Sequence, residues 1–282
     1  MKKYIKSPIN YAGGKYRLLK QIIPLFPNNI NTFVDLFGGA FNIGINVNAN
    51  TIIYNDIINY LSELFLYWKN TSLIEINDYI DKTIIENNLS STNKEAFLKF
   101  RQKYNNEKDI RDFFILICYS FNSQMRFSNK QEYNSSFSKE ASTMNNRIRK
   151  NLNDFVDKLH NGNYIFMNKN FIDFDFSKLN KEDFVYCDCP YSLGGAVYQD
   201  GKRGFNGWSK EDDKKLFDIL DKLNKKGIRF ALSNVFENKN IKNEELIKWS
   251  KQYNVYHFNI NYNGANYQRK PSKSDEVLIT NY

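Results

Sequence analysis

Short apolar runs that close on glycine or acid recur along the chain and set its rhythm. Thr32 to Phe37 is β-rich and ends at Gly38-Gly39; Thr51 to Asn55 is a second such run, ending at Asp56, with a short helical stretch between them. That alternation predicts a βαβ unit. Asn163 to Asn168, Phe184 to Cys187 and Ile228 to Ser233 read as further buried strands of a parallel sheet. The clearest helix opens at Ser209, a good N-cap. It carries Glu211, Asp212 and Asp213 in its first turn, places Leu216, Phe217, Ile219, Leu220 and Leu223 on one face, and closes at Lys225, Lys226 and Gly227. Val255 to Tyr262 and Glu276 to Asn281 predict a C-terminal antiparallel hairpin. Between about Leu61 and Gly162 the period becomes helical, as in Ile148, Leu152, Phe155, Val156 and Leu159, with one β-like exception from Asn122 to Phe137. The predicted class is therefore α/β, a mostly parallel sheet built from residues 1–60 and 163–282 with a mainly helical insertion over 61–162.

Composition narrows the function. At 282 residues the chain can bury an enzyme-sized core, and its longest apolar runs, such as Ile22 to Phe26, are far too short to span a bilayer. Lys2, Lys3 and Lys6 are followed by no apolar stretch, so no secretory signal is expected and the chain reads as cytoplasmic. Three cysteines, Cys118, Cys187 and Cys189, argue against a disulfide framework, and two histidines are too few for a zinc site; no metal is expected. The 40 basic against 31 acidic side chains leave a charge of +9, which favours a polyanionic partner. An aromatic content of 16%, interleaved with Lys, Arg and Asn, points that preference toward nucleic acid, because rings stack bases while cations hold phosphates.

Three constellations carry candidate chemistry. Asp35-Leu36-Phe37-Gly38-Gly39-Ala40 ends the first strand, where glycines admit a ligand to the backbone and the acid can meet a cation. Asp56, at the end of the second strand, stands where doubly wound sheets offer a carboxylate to ribose hydroxyls; together the two acids point to an adenosine-bearing ligand. Asp188-Cys189-Pro190-Tyr191 follows a buried strand with an acid, a proline-stiffened turn and an exposed aromatic, a place to grip a flat polar ring. His160, before Asn161-Gly162, reads as a helix-end residue, and Ser233-Asn234 as pocket floor or turn rather than nucleophile.

Taken in order, Asn10-Tyr11-Ala12-Gly13-Gly14-Lys15, the Asp35 to Ala40 segment, Asn55-Asp56, Asp188-Cys189-Pro190-Tyr191 and the terminal Ser274 to Tyr282 resemble the Dam-like (D12 class) adenine-N6 DNA methyltransferases, which use S-adenosylmethionine. The resemblance implies a Rossmann-like methyltransferase sheet in which the strand before Gly38 lies beside the strand before Asp188. It implies that Tyr11, Lys15 and Asp188 line the cofactor site, that Asp35, Phe37, Gly38 and Gly39 hold the methionine end, that Asp56 meets the ribose, and that Asn170 and Phe171 flank the cofactor adenine. Asp188 and the Cys189 carbonyl would accept hydrogen bonds from the target amino group, Pro190 would stiffen the turn, and Tyr191 would stack on the flipped base. The family pattern is Asp-Pro-Pro-Tyr, so Cys189 is a departure, as is Asn170 where the family has Asp.

The stretch from Phe121 to Phe137 resembles the β-hairpin that the family inserts at DNA. On that likeness Asn122, Gln124, Arg126 and Asn129 are expected to read base edges, and Lys130, Lys139, Arg147 and Arg149 to meet phosphates, joined by Lys202 and Arg203 from the Gly-rich loop between Ser192 and Trp208. The implied partner is double-stranded DNA, acted on by a monomer, with a cognate restriction endonuclease where the chain is the modification half of a restriction system. Two other readings fit the same motifs: a same-fold methyltransferase acting on RNA or on a protein amide, and a DNA-binding relative that Cys189 has deprived of catalysis.

Overall fold

The computed structural model describes residues 4–11, 13–140, 142–193, 207–258 and 274–282. The alternating runs do form strands: β1 Ile30–Asp35, β2 Ala49–Asn55, β3 Tyr164–Met167, β4 Phe184–Cys187, β5 Arg229–Asn238, β6 Ile241–Lys242, β7 Asn254–Phe258 and β8 Ser274–Thr280. They make one sheet in the order β3-β2-β1-β4-β5-β8-β7, with β6 paired to β5. β1 to β5 run parallel, while β8 is antiparallel to both β5 and β7. The fold is a Rossmann-like α/β sheet with an antiparallel C-terminal edge, the architecture that the family resemblance implies.

Strand alternation assigns each side chain to a face. Phe33, Phe184, Tyr186, Ala231 and Leu278 join a core shared with α2 Asn59–Asn70, α4 Lys94–Glu107, α5 Ile110–Tyr119 and α6 Asn146–His160. Val34, Val185, Cys187, Phe230, Leu232 and Ile279 point the other way, onto α7 Lys210–Lys225 and Leu246 of α8 Glu244–Ser250. α7 opens as its sequence predicts, with a capping box in which the Ser209 and Asp212 side chains satisfy each other's backbone N–H groups. With α3 Leu73–Glu86, helices α2 to α6 fill the connection from β2 to β3. The expected boundary at residue 61 falls inside α2, because α2 packs its Leu61, Leu64 and Phe65 into the same core as the sheet.

Two local expectations, the length of β5 and the hairpin over 122–137, differ from what forms. Between β1 and β2 the expected short helical stretch is a single 3-10 turn, Gly44–Asn46; the Gly44 N–H turns to Asp35 and the Asn46 amide bonds the Asn42 carbonyl. β5 runs on past Ser233 to Asn238, since β8 gives it a partner along that length. The described part of β7 ends at Phe258, and the expected extension to Tyr262 lies outside the described residues. The predicted hairpin over 122–137 forms isolated antiparallel bridges, Ser120 to Phe137 and Phe127 to Tyr133, rather than regular strands. Asn122, Ser123 and Gln131 take positive φ there, and the Tyr133 and Ser135 hydroxyls both donate to the Gln124 carbonyl, so side chains replace a ladder.

Candidate active site

The chain leaves β1 toward β2 on one side and later returns to place β4 on the other, which opens a crevice beyond the carboxyl ends of these two neighbours. Asp35 lies opposite Tyr186, so the turn at Phe37 and the turn at Asp188 begin side by side. This adjacency is the one expected from the family resemblance.

The first turn is tightly built. The Gly38 N–H donates to the Asn55 carbonyl at 2.8 Å, and a Cβ at Gly38 would lie 2.3 Å from the Tyr54 ring, so only glycine fits. Gly39 has φ +47° and donates to Asp56 Oδ2 at 2.8 Å, while Oδ1 of Asp56 accepts from Ile58 N–H at 3.0 Å. Asp56 thus shapes the glycine turn as well as standing at its rim. The Tyr11 ring covers Gly39, 3.3 Å from where a Cβ would stand. The buried Asn55 amide bonds the Leu36 and Lys169 carbonyls and accepts the Lys169 N–H, locking the ends of β1, β2 and β3 together. Pattern reading gave Asn55 no role of its own.

At the second turn, Lys15 pairs with Asp188 at 2.7 Å, and its side chain is 7% exposed. The same ammonium lies 5.1 Å from the Tyr191 ring centroid and donates to the Gly13 carbonyl at 3.1 Å. The Tyr191 hydroxyl also donates to Asp188 Oδ1, at 3.2 Å. Both contacts fall on Oδ1; among the described residues Oδ2 takes no hydrogen bond, and no backbone N–H bonds the Cys189 carbonyl. Lys15, expected beside the cofactor, pairs with the Asp188 carboxylate. Cys189 is buried, and its sulfur accepts a 3.8 Å contact from the Asn234 amide on β5. Ser233, beside it, pairs its hydroxyl with Tyr186 at 2.7 Å, so both residues are floor rather than turn.

Burial dominates the electrostatics. Asp35 is 2% exposed, and desolvation, reinforced by Asp188 and Asp56, pushes its carboxyl up to about 8 against the opposing Gly44 N–H. Burial raises the Asp188 carboxyl as well, while Lys15 and the Tyr191 hydroxyl hold it down. The Cys187 and Cys189 thiols are pushed far up by burial, which leaves them no nucleophilic role. Because the folded state of Asp35 binds its proton more tightly than an unfolded chain would, its contribution to stability is whole below about pH 4 and is lost as pH rises toward about 8. Asp35→Asn keeps an acceptor for Gly44, so calorimetry should find its melting temperature above the parent's near pH 8 and the two converging near pH 4. A constant gap across that range would mean that Asp35 is ionised throughout.

An aromatic trio completes the site. Phe171 lies 5.4 Å from Phe37 and 5.3 Å from Trp208, and Phe37 lies 5.6 Å from Trp208. Asp213 accepts the Trp208 indole N–H at 2.7 Å, which fixes the ring at the mouth of α7. Trp208 was not foreseen as a site residue. Asn170 uses its side-chain oxygen to accept Ile172 N–H at 3.2 Å, capping the turn that carries Phe171.

Of the expected DNA contacts, Asn122, Gln124, Arg126, Asn129, Lys130, Lys139 and Arg147 are all exposed. Arg149 is instead drawn into a helix contact with Asp81 and Asn77. Lys202 and Arg203 lie outside the described residues. His160 sits in the last turn of α6, its ring bonded to the Trp68 carbonyl of α2 at 2.9 Å. Among the described residues there is no cluster of metal-ligating side chains and no helix long and apolar enough to cross a membrane.

The family model described as D12 class N6 adenine-specific DNA methyltransferase matches residues 11–263. Type II methyltransferase M.FokI of Planomicrobium okeanokoites is 50% identical over 279 residues, covering 99% of this chain and 43% of that protein. Modification methylase StsI of Streptococcus sanguinis is 46% identical, over 100% of this chain and 43% of its own length. Modification methylase LlaI of Lactococcus lactis subsp. lactis is 33% identical, over 98% and 43%. The chain thus spans less than half the length of these three relatives.

Proposed function

The chain belongs to the D12 class of N6 adenine-specific DNA methyltransferases, and from that premise we propose that it transfers a methyl group from S-adenosylmethionine to the amino group of an adenine flipped out of double-stranded DNA. The observation that carries this reading is the Asp188 carboxylate, whose Oδ1 is held by Lys15 and Tyr191 while Oδ2 takes no hydrogen bond among the described residues.

The residues present suit the donor. Three carboxylates, Asp35, Asp56 and Asp188, converge electrostatically at the strand ends, and burial leaves Asp35 holding a proton for want of a cation. A ligand with sulfonium and ammonium charges matches that deficit, whereas a dinucleotide phosphate would worsen it. Phe37, Phe171 and Trp208 offer the faces for its purine, Asp56 and the Gly38-Gly39 turn the ribose and methionine end, with Tyr11 as cover. When bound, the donor supplies an electrophilic methyl group.

The chain's own residues do the rest. An adenine amino nitrogen is a weak nucleophile because its lone pair is delocalised into the ring. Asp188 Oδ2 and the Cys189 carbonyl accept hydrogen bonds from its two N–H groups, orient the nitrogen and stabilise the positive charge that develops on it. Burial raises the Asp188 carboxyl and Lys15 opposes that rise, which makes Asp188 a ready acceptor for the proton released. Tyr191 presents a ring face to the extruded base. The segment 61–162 is the proposed target-recognition unit, with Arg126 a fork for guanine and Lys130, Lys139 and Arg147 for phosphates.

One chain supplies both the donor and base sites, which supports action as a monomer on cytoplasmic DNA. Relatives named modification methylases support a restriction system with a cognate endonuclease as partner. Expression in a host lacking adenine methylation, followed by single-molecule sequencing, should reveal methyladenine confined to one short motif. Unmodified DNA from cells making soluble protein would overturn the reading, and modified RNA in its place would redirect it.

A further inference from the structure

We propose that Asn10 is a positioning residue that makes donor binding and target binding depend on each other; this rests on the function proposed above. Its side-chain amide donates to the Asn122 carbonyl at 2.8 Å, joining two segments 112 positions apart. Each side of that bond is attached to a different half of the machinery.

On the target side, Asn122 and Ser123 occupy consecutive left-handed conformations, φ +54° and +50°. Non-glycine residues adopt that region reluctantly, so the turn exists because its surroundings impose it. Ser123 N–H donates to the Ser120 carbonyl at 2.8 Å and Gln124 N–H to the Phe121 carbonyl at 3.1 Å. Behind the turn, the buried Tyr133 hydroxyl pairs with Ser120 Oγ at 2.8 Å and donates to the Gln124 carbonyl, and Arg101 of α4 holds the Ser135 carbonyl at 2.9 Å. The base of the target-reading segment is thereby fixed to the helices, with the exposed Gln124, Arg126 and Asn129 beyond it. DNA that draws the reader against these anchors would act on the Asn122 carbonyl.

On the donor side, Asn10 precedes Tyr11, whose ring covers Gly39 and whose carbonyl accepts the Gly14 N–H at 3.2 Å. Lys15, at the end of the same short loop, grips Asp188. A shift transmitted through Asn10 therefore reaches the cover of the donor site and the cation on the catalytic carboxylate together. Asn10 and Asn122 are both exposed, so their hydrogen bond adds little to the stability of the fold. Its consequence is coupling: the bond biases which arrangement of the loop accompanies which arrangement of the reader.

The test measures S-adenosylhomocysteine affinity by calorimetry with and without a duplex carrying the motif found by sequencing, for the parent, Asn10→Ala and Asn10→Asp. The aspartate keeps the shape and turns the donor into a second acceptor. In the parent the duplex should tighten S-adenosylhomocysteine binding about fivefold or more, the usual lower range for coupled sites. In both variants that ratio should fall to near one, while the affinity for each ligand alone stays within about twofold and the melting temperature holds. A side chain that merely supports the fold would weaken both ligands and leave the ratio untouched. Coupling retained in either variant overturns the proposal, as does a parent with none. If the parent methylates no DNA at all, the underlying function fails; methylation with an unaltered ratio defeats the role of Asn10 alone.

Discussion

Asp188→Ala should abolish methyl transfer, lowering the single-turnover rate by on the order of 10³-fold, while duplex affinity stays within about twofold. The size follows from what is removed: both the acceptor at Oδ2 and the negative charge that offsets cation development on the adenine nitrogen. Asp188→Asn should be nearly as inactive. Lys15, 2.7 Å away, would claim the amide oxygen, which turns the amide NH₂ toward the incoming amino group, donor against donor. Asp188→Ala strands the buried Lys15 ammonium and should lower the melting temperature, so rates are compared at a temperature where parent and variants are all folded. Rapid-quench transfer of a labelled methyl group reads the rate and fluorescence anisotropy reads DNA binding. A variant within tenfold of the parent's rate would show that Asp188 does not touch the reacting amine.

Which parts of this site a sequence displays, and which it hides, follows from the range of the forces involved. The strands bearing Asp35, Asp56 and Asp188 are written locally, as apolar runs cut short by glycine or acid, and Ser209 announces α7 through a capping box confined to one turn. The adjacency of β1 and β4 is a matter of topology, and it came from motif order shared with a family rather than from any pattern in the strands themselves. Trp208 is hidden because nothing near it in the chain marks it; it becomes a site residue only when α7 sets it against Phe37 and Phe171. Asn55 is equally silent, one polar residue in a polar-rich chain until three strand ends meet on its amide. The segment 122–137 misled in the opposite direction. Its alternation of polar and aromatic residues suggests a ladder, yet the Tyr133 and Ser135 hydroxyls take the carbonyl that a partner strand would have used. Cys189 departs from the family pattern, and its sulfur fills buried space against Asn234, a long-range contact that its neighbours in the chain do not mark.

Lys15→Met should move the acidic limb of the rate profile toward alkali. Two opposing influences set the Asp188 carboxyl: burial raises it, and the Lys15 ammonium, by charge and by hydrogen bond, holds it down. Removing the ammonium leaves burial unopposed except for the Tyr191 hydroxyl, so Asp188 keeps its proton to higher pH. A protonated Asp188 loses the charge that orients and stabilises the attacking nitrogen. Transfer at neutral pH should therefore fall about tenfold or more and recover in part as pH rises, with the limb displaced toward alkali, the direction expected when an opposite charge is removed. Methionine keeps most of the side chain's apolar volume, so packing beside Tyr191 is disturbed little. Lys15→Arg should retain the charge and with it the parent's limb, though its longer planar fork will not reproduce the Gly13 and Asp188 contacts together. Single-turnover rates measured from about pH 5 to pH 9 distinguish this from a purely structural role, which would scale the whole profile down without displacing it. A methionine variant whose limb stays in place would mean that Lys15 acts on the donor rather than on Asp188.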